Sequence, residues 1–276
     1  MRNALVMQAD FAGVVMTGVA VSVSNQLAIY NLRPLIPLYN IRAASESLAY
    51  NAQTWPAGTV FVSVVDPGVG TARKSVVMKT KNGLFFVSPD NGSLSAAAQQ
   101  YGIDAVREID ESVNRRPGSE WSHTFHGRDV YSYTGARLAA GVIAFSGVGP
   151  LIEPAVVMLA ALDAKLEDGV LKGFVAGGTG RLGNAWFSID RDLFKKIKPQ
   201  YGELFRVVIR NDDSVVWQDS VPYTKSFADV PIGNNLLFVN SSGKTSMAIN
   251  QGNFAHRFHI GTGKSWRVEI SRQQHD

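Results

Sequence analysis

The sequence predicts an N-terminal α/β domain with a mostly parallel sheet, followed by a C-terminal antiparallel β domain that resembles a barrel. The chain has 276 residues, which is more than a single hydrophobic core usually holds. Strand-like and helix-like segments alternate up to about residue 150, and the later apolar segments are short and separated by turns, as in a barrel or sandwich. We expect domains at residues 1–152 and 169–276, with residues 153–168 as the linker.

In the N-terminal domain, short β-branched runs predict strands and apolar residues at helical spacing predict helices. The run Val60, Val62, Val64 and Val65 is typical of a buried central strand. The expected strands are 3–7, 27–32, 59–65, 76–78, 84–87 and 105–109. The expected helices are 13–23, 41–53, 93–100 and 130–142.

The C-terminal domain shows short strand patterns bounded by turn residues, which favours an antiparallel arrangement. The expected strands are 170–176, 185–189, 205–210, 215–219, 236–239 and 266–270. Two brief helices are expected at 192–196 and 246–251.

Composition excludes several classes of protein. With 45% hydrophobic and 18% charged residues the chain is an ordinary globular protein. The net charge of +4 is small and its cations are scattered, so nucleic acid is not an expected partner. The absence of cysteine excludes disulfides and thiolate sites. The apolar stretch after Arg2 is too short for a signal peptide and no membrane-spanning run follows, so we expect a cytoplasmic protein.

The stretch most suggestive of chemistry is Asp66-Pro67-Gly68-Val69-Gly70, which follows the valine-rich strand and is followed by Arg73. Ligands of open α/β sheets bind at the carboxyl ends of the strands, where this carboxylate and guanidinium are expected. The alternative is that Asp66 only caps its own turn. A second stretch, residues 122–129, brings His126 to the start of a predicted helix and favours a functional site.

Two nucleotide-binding patterns are incomplete. Residues 178–183 match the dinucleotide-binding glycine pattern, but residues 184–189 read as a strand where that pattern needs a helix. The sequences Gly243-Lys244-Thr245 and Gly263-Lys264-Ser265 end like phosphate-binding loops, but each lacks the earlier glycine. Neither pattern is expected to carry the function.

Two histidine pairs, His123/His126 and His256/His259, have a spacing that could ligate a metal. No carboxylate pattern accompanies them and there is no cysteine, so a metal site is not expected. We also expect no cofactor.

Eight motifs spread over nearly the whole chain point to one family. In chain order they are Ala9-Asp10-Phe11, Gly58–Phe61, Val64–Gly70, Ser88–Gly92, Thr124–Asp129, Leu182-Gly183-Asn184 with Trp186, Val239-Asn240-Ser241 and Asn250–Ala255. Together they resemble the S-adenosyl-L-methionine (SAM) hydroxide adenosyltransferase family, relatives of the fluorinase and chlorinase enzymes. The resemblance implies a homotrimer with each pocket between the N-terminal domain of one subunit and the C-terminal domain of its neighbour.

The family reaction is attack of a water-derived oxygen on C5′ of SAM, which gives adenosine and methionine. Halogenase relatives resemble Tyr-Pro-Ala-Thr-Gly where this chain has residues 66–70, and they have tyrosine at the position of His126. A carboxylate at this place would repel a halide, so the resemblance favours a SAM hydrolase. The alternative is an adenosine- or SAM-binding protein that has lost catalysis.

By resemblance, Asp66, Arg73 and His126 match the set that holds the nucleophile in this family. Asp66 and His126 would orient the water and one of them would take its proton, while Arg73 would keep Asp66 ionised. Which of the two is the base stays open.

The resemblance also implies a nucleoside pocket. Asp10 would take both ribose hydroxyls, Phe227 would stack on adenine, and Tyr39 would pack near the ribose and sulfonium. Core packing is the alternative for both aromatic residues. The remaining pocket residues, which would contact the adenine edge or line the same pocket, are Asn184, Asn250, Gln251, Ser241 and Ser242.

Three positions depart from the family. The loop after Phe11 is short and lacks a second aspartate, Arg33-Pro34-Leu35 replaces Thr-His-Asp, and Thr179 stands where an aspartate is usual. The first and third serve the amino-acid end of the substrate in the family. Losing two carboxylates there predicts a weakened hold on the methionine moiety, or a different 5′-substituent.

Overall fold

The computed structural model describes residues 4–32, 35–161, 163–180 and 183–273. Arg33, Pro34 and Leu182, which belong to the motifs and departures named above, lie outside the described residues. The chain forms two compact units, Met1–Ala160 and Ala161–Asp276. None of the helices in the described ranges has the length and apolar character needed to cross a membrane.

The first unit contains a sheet of seven strands within the described residues. These are β1 (Leu5–Ala9), β2 (Ile29–Asn31), β3 (Val60–Val64), β4 (Ser75–Thr80), β5 (Phe85–Pro89), β6 (Ile103–Glu108) and β7 (Leu151–Ile152). The order across the sheet is β2-β1-β3-β5-β4-β6-β7. The first four pair in parallel. Since β4 is antiparallel to both β5 and β6, β6 shares the direction of those four, and the sheet is mostly parallel.

Helices pack on both faces of this sheet. They are α1 (Val14–Val23), α2 (Ile41–Ala52), α3 (Ser95–Tyr101), α4 (Glu111–Asn114), a π-helical turn (Gly127–Tyr131), α5 (Ser132–Ala139) and a 3₁₀ turn (Phe145–Val148). The π-helical turn runs directly into α5, so the predicted helix at residues 130–142 begins earlier and in a wider form.

The central strand β3 is buried on both faces. Val60, Val62 and Val64 pack with residues of α1 and α5 in one cluster, whereas Phe61 packs with residues of α2 and α3 in the other. A strand covered on both faces reads as an uninterrupted apolar run, which explains the valine-rich sequence. The same burial fixes the carboxyl end of β3 inside the unit.

The second unit is an antiparallel sheet that nearly closes into a barrel. Its strands are β8 (Lys165–Glu167), β9 (Val170–Gly177), β10 (Ala185–Asp190), β11 (Leu204–Asn211), β12 (Ser214–Pro222), β13 (Asn235–Val239), β14 (Lys244–Ile249) and β15 (Gly263–Arg272). Along the order β12-β11-β15-β9-β10-β14-β13 every neighbouring pair is antiparallel. A bridge between Tyr223 and Leu237 brings the end of β12 back to β13. The predicted fold class is therefore confirmed.

The short helices of this unit are α6 (Arg191–Lys195), α7 (Phe254–Arg257) and a 3₁₀ turn (Phe227–Asp229). The helix predicted at residues 246–251 is wrong, because β14 occupies this segment and pairs with β13 and β10. Met247 packs in the barrel core while Ala248 packs on the other side with Leu236 and Phe238. Burial of both faces hides the alternation that would have predicted a strand.

Candidate active site

The site begins where β3 ends. After Val64 the chain turns through Asp66-Pro67-Gly68-Val69-Gly70, with a hydrogen bond from Val69 N to Asp66 O at 3.3 Å. Gly70 has a φ of 83°, a conformation that side-chain-bearing residues rarely adopt. The loop folds back on itself, which returns Arg73 to the carboxylate at the end of β3.

Asp66 and Arg73 form a two-point ion pair. Arg73 Nε donates to Asp66 Oδ1 at 3.0 Å, and Nη2 donates to Oδ2. The side chains are only 6% and 11% exposed, respectively. Burial opposes the charge of Arg73, but the hydrogen bonds to Asp66 and the electrostatic interactions with Tyr131, Asp66 and Glu111 together outweigh it and raise the pKa of the guanidinium. The pair therefore fixes both groups in one orientation.

Ser75 connects this pair to a buried tyrosine and a glutamate. Arg73 Nη1 donates to Ser75 Oγ at 3.1 Å. The same oxygen lies 3.1 Å from Tyr131 Oη and 3.4 Å from Glu111 Oε1. Burial raises the pKa of the Tyr131 phenol, which is therefore neutral near pH 7. The Arg73 guanidinium also lies 5.6 Å from the centre of the Tyr131 ring.

His126 reaches this network from the π-helical turn. A Cβ on Gly127 would lie 2.9 Å from Val64 Cγ1 and 3.2 Å from Phe11 Cζ, so only glycine lets the turn lie this close to the end of β3. His126 is 8% exposed. Burial lowers the pKa of its imidazole; the Glu111 carboxylate opposes this effect, and the cation of Arg73 adds to it.

The two ring nitrogens of His126 have different surroundings. Nε2 lies 3.6 Å from Glu111 Oε2 and 3.4 Å from Arg115 Nη2. Arg115 Nη2 also donates to Glu111 Oε2, and its Nη1 donates to Ser122 O at 2.9 Å. Nδ1 is buried and has no hydrogen-bond partner among the described residues.

The structure thus brings Asp66 and Arg73 into direct contact and joins His126 to them through Ser75 and Glu111. Sequence reasoning missed Glu111 and Arg115 as members of this site. Their i,i+4 spacing with opposite charges was the signal that could have found them. In the described parts of the chain, no group of three His, Asp or Glu side chains could hold a metal ion.

Asp10 lies beside this site, at the carboxyl end of β1. Its N–H donates to Val64 O at 3.4 Å, which places the Asp10 backbone next to the end of β3. Asp10 Oδ2 accepts a hydrogen bond from Tyr39 N at 2.9 Å. Tyr39 has a φ of 59° and the residue is 69% exposed. The ring is therefore not packed in the core of the unit.

Two of the three departures from the family pattern lie in loops within the described residues. Helix α1 begins at Val14, only four residues after Asp10, and Gly13 at its start offers no side-chain cap. In the second unit, Thr179 lies half-buried in the connection from β9 to β10.

The second unit brings several predicted nucleoside residues to one end of its sheet. Gly183, next to Asn184, accepts a hydrogen bond from Ala255 N at 2.8 Å, which ties the two motifs together. Asn250 follows β14 and its Nδ2 donates to Val230 O at 2.8 Å, beside the 3₁₀ turn that carries Phe227. Phe227 is 39% exposed and packs against Phe238 at a centroid distance of 5.0 Å. Gln251 is exposed and has a φ of 57°.

Ser241 and Ser242 lie elsewhere in this unit. They occupy the turn between β13 and β14, where Ser242 N and Oγ donate to Asn240 Oδ1 at 3.0 and 2.7 Å. Asn250 follows the opposite end of β14, about 20 Å away at roughly 3.3 Å per residue. A shared adenine pocket for these serines stays a prediction.

Two family models match the chain. The model of the SAM hydroxide adenosyltransferase N-terminal domain matches residues 6–149, and the model of the C-terminal domain matches residues 181–267.

Similar proteins cover nearly the whole chain. An (R)-S-adenosyl-L-methionine hydrolase of Salinispora arenicola is 31% identical over 254 residues, which are 91% of this chain and 90% of that protein. A fluorinase of Actinopolyspora mzabensis is 25% identical over 280 residues, covering 92% and 91%. The crystal structure of an uncharacterized conserved protein from Thermotoga maritima aligns with a TM-score of 0.85 at 30% identity, covering 97% of this chain and 100% of that one.

Proposed function

The chain belongs to the SAM hydroxide adenosyltransferase family, and on that premise we propose that it is an enzyme that hydrolyses SAM to adenosine and L-methionine. The observation that carries the proposal is the Asp66–Arg73 pair at the end of β3 with His126 joined to it. The family resemblance alone includes halogenases as well as hydrolases. The carboxylate and imidazole of this cluster are suited to binding water.

The reaction needs an oriented nucleophile more than it needs an acid. An oxygen lone pair of water forms the C5′–O bond while the C5′–S bond breaks. The electron pair of the C5′–S bond goes to the sulfonium sulfur, so methionine leaves as a neutral thioether. The water loses one proton to a basic side chain. Catalysis therefore depends on holding water in line with the C5′–S bond and on accepting its proton.

The buried cluster supplies both requirements. Asp66 is held by Arg73 through both oxygens, which leaves lone pairs of a fixed carboxylate to accept a hydrogen bond from the water. His126 offers the unpartnered Nδ1 as a second contact. Burial lowers the pKa of His126, so the imidazole is neutral near pH 7 and can accept a hydrogen bond or a proton.

We further propose that Asp10 binds the ribose hydroxyls and that Tyr39 packs beside the ribose and sulfonium. Support comes from the hydrogen bond between them and from the exposed ring of Tyr39. In this proposal the nucleoside pocket is completed by residues of a neighbouring copy in a homotrimer. These residues are Asn184, Phe227, Asn250 and Gln251; Ser241 and Ser242, at the opposite end of β14, stay predicted members of the pocket.

The exposure of Phe227 supports its proposed stacking on adenine, because a stacking side chain must be accessible.

Light scattering tests the trimer. A cytoplasmic location also stays a prediction, which cell fractionation tests.

The hydrolase is tested by incubating the protein with SAM in halide-free buffer and following adenosine and methionine by chromatography. We expect equal amounts of both products, and loss of both in Asp66→Ala. Asp104→Ala is the matched control, because Asp104 pairs with Lys79 on the surface. Absence of adenosine despite a rise in melting temperature with SAM would instead identify a binding protein. Products that appear only with added halide would identify a halogenase.

A further inference from the structure

Glu111 bridges the two halves of the proposed catalytic cluster. Its Oε1 lies 3.4 Å from Ser75 Oγ, which in turn accepts from Arg73 Nη1. Its Oε2 lies 3.6 Å from His126 Nε2. A single carboxylate therefore contacts both the side that holds Asp66 and the side that holds the imidazole.

Arg115 fixes this carboxylate in place. Its Nη2 donates to Glu111 Oε2 while its Nη1 donates to the Ser122 carbonyl at 2.9 Å. The Arg115 side chain is 11% exposed and that of Glu111 is 33% exposed, so the pair is partly shielded from solvent. Glu111 thus has a defined orientation toward His126.

The other ring nitrogen of His126 is left for a ligand. Nδ1 is buried without a hydrogen-bond partner in the described part of the chain. A buried polar atom of this kind costs free energy unless an ordered water or a ligand atom binds it. Glu111 and Arg115 occupy the Nε2 side, so Nδ1 is the ring nitrogen left to bind a water.

We propose that Glu111 is a positioning residue that holds the His126 imidazole with Nδ1 facing the reacting water. It also stabilises the imidazolium formed when Nδ1 takes the proton of that water. This inference rests on the proposed function and names His126 as the proton acceptor. In this proposal the neutral imidazole has its proton on Nε2, facing Glu111. The carboxylate then has the role it has in a hydrolytic triad, but with the ring nitrogens exchanged, because the triad carboxylate accepts from Nδ1–H and Nε2 is the base.

The charges around His126 make the contribution of Glu111 measurable. Two cations, Arg73 and Arg115, disfavour protonation of the imidazole, whereas Glu111 and Asp66 favour it. The neutral Tyr131 ring lies 6.5 Å from the imidazole, centre to centre. Removing the charge of Glu111 leaves one carboxylate against two cations, so the pKa of His126 falls further.

The first experiment compares the wild type with Glu111→Gln across about pH 4.5 to 8.5, a window of about two pH units on each side of the ordinary histidine pKa. His126 must be neutral to take a proton, so kcat/KM declines as pH falls through its pKa. We expect the variant to move this decline to lower pH by about one unit and to lower kcat by about 100-fold. KM changes little, since Glu111 does not touch the substrate in this proposal.

Two variants control for fold and charge. Glu108→Gln removes a carboxylate that pairs with Lys74 on the surface, and it is expected to behave as the wild type. Glu111→Asp keeps the charge, so the decline stays near the wild-type pH even if kcat falls. Melting temperatures show whether each variant is folded.

The second experiment does not depend on activity. NMR titration of the imidazole follows His126, whose resonance is the one of five histidines lost in His126→Gln. We expect a lower pKa for His126 in Glu111→Gln than in the wild type, and a proton on Nε2 in the neutral form. This measurement of the His126 pKa and tautomer does not require that the protein hydrolyses SAM.

Three results would overturn the proposal. One is an equal loss of kcat at every pH with an unmoved decline, which indicates a merely structural role. Another is a wild-type kcat in folded Glu111→Gln. The third is a neutral imidazole with its proton on Nδ1, because Nε2 would then accept from Arg115 and His126 would donate to the water.

Discussion

Arg73 forms a bidentate salt bridge with Asp66, in which Nε donates to Oδ1 at 3.0 Å and Nη2 donates to Oδ2. This pair lies at the carboxyl end of the buried strand β3, and Ser75 and Tyr131 hold the guanidinium from the other side. The two hydrogen bonds hold the carboxylate in one orientation, as the proposed role in orienting the attacking water requires. Its burial also makes the pair sensitive to the loss of either partner.

Asp66→Asn is expected to destabilise the protein by about 3 kcal/mol, because it leaves the charge of Arg73 buried without its anionic partner. Urea unfolding measures this change. The double variant Asp66→Asn/Arg73→Gln should be less destabilised than Asp66→Asn alone. The exposed pair of Asp104 and Lys79 is the control, and Asp104→Asn should cost less than about 1 kcal/mol. Equal losses at the two sites would contradict the buried pair.

The pH dependence of activity is expected to follow His126. Burial lowers the pKa of this imidazole below the ordinary value of about 6.5, so kcat/KM stays level through neutral pH and falls only in more acidic solution. Stability should fall in the same window, because below about pH 6.5 the unfolded chain binds a proton that the folded chain does not. His126→Gln should remove this part of the pH dependence of unfolding. An acidic limb at or above pH 6.5 would contradict a buried neutral imidazole.

The sequence predicted the α/β unit well because each element has a local signal. These signals depend only on residues close in sequence. They are the valine run of β3, the turn at Pro67 and Gly68, and the helical spacing of apolar residues in α1 and α2. The motifs also pointed to Asp66, Arg73 and His126, which the structure joins in one network. Assigning them to catalysis stays a prediction.

Other features depend on tertiary context. The strand β14 was predicted as a helix because both of its faces are buried. The π-helical turn arises where Gly127 packs on Val64 and Phe11, which are distant in sequence. In the sequence Glu111 has the pattern of a solvent-exposed residue at the start of a four-residue helix. Only the folded structure shows that it lies against His126.

Two glycines in helices are expected to respond oppositely to alanine. A Cβ on Gly135 of α5 would lie 2.4 Å from Val62 Cγ2, so Gly135→Ala should cost about 1–3 kcal/mol through overpacking against β3. A Cβ on Gly18 of α1 would meet nothing within 4 Å, so Gly18→Ala should stabilise by about 0.5–1 kcal/mol through helix propensity. Thermal unfolding measures both. The same sign for both variants would contradict the packing of α5 on β3.

Thr179→Asp is expected to strengthen binding of SAM by about 10-fold or more, because a carboxylate returns where the family usually has one for the ammonium group. A hydrogen bond to a charged group contributes about 1.5–3 kcal/mol. Calorimetry with SAM and with adenosine separates the two ends of the substrate. Adenosine affinity should be unchanged. A gain for both ligands, or for neither, would show that Thr179 does not serve the methionine end.

Hydrolysis of SAM in H₂¹⁸O, with the products of the wild type and of Asp66→Asn compared by mass spectrometry, shows directly whether water attacks C5′. Attack of an oriented water at C5′ predicts adenosine that carries one ¹⁸O and methionine that carries none, with the rate of labelling greatly reduced in the variant. Unlabelled adenosine, or 5′-methylthioadenosine in its place, would show that water oxygen does not attack C5′ and would contradict the proposed hydrolysis.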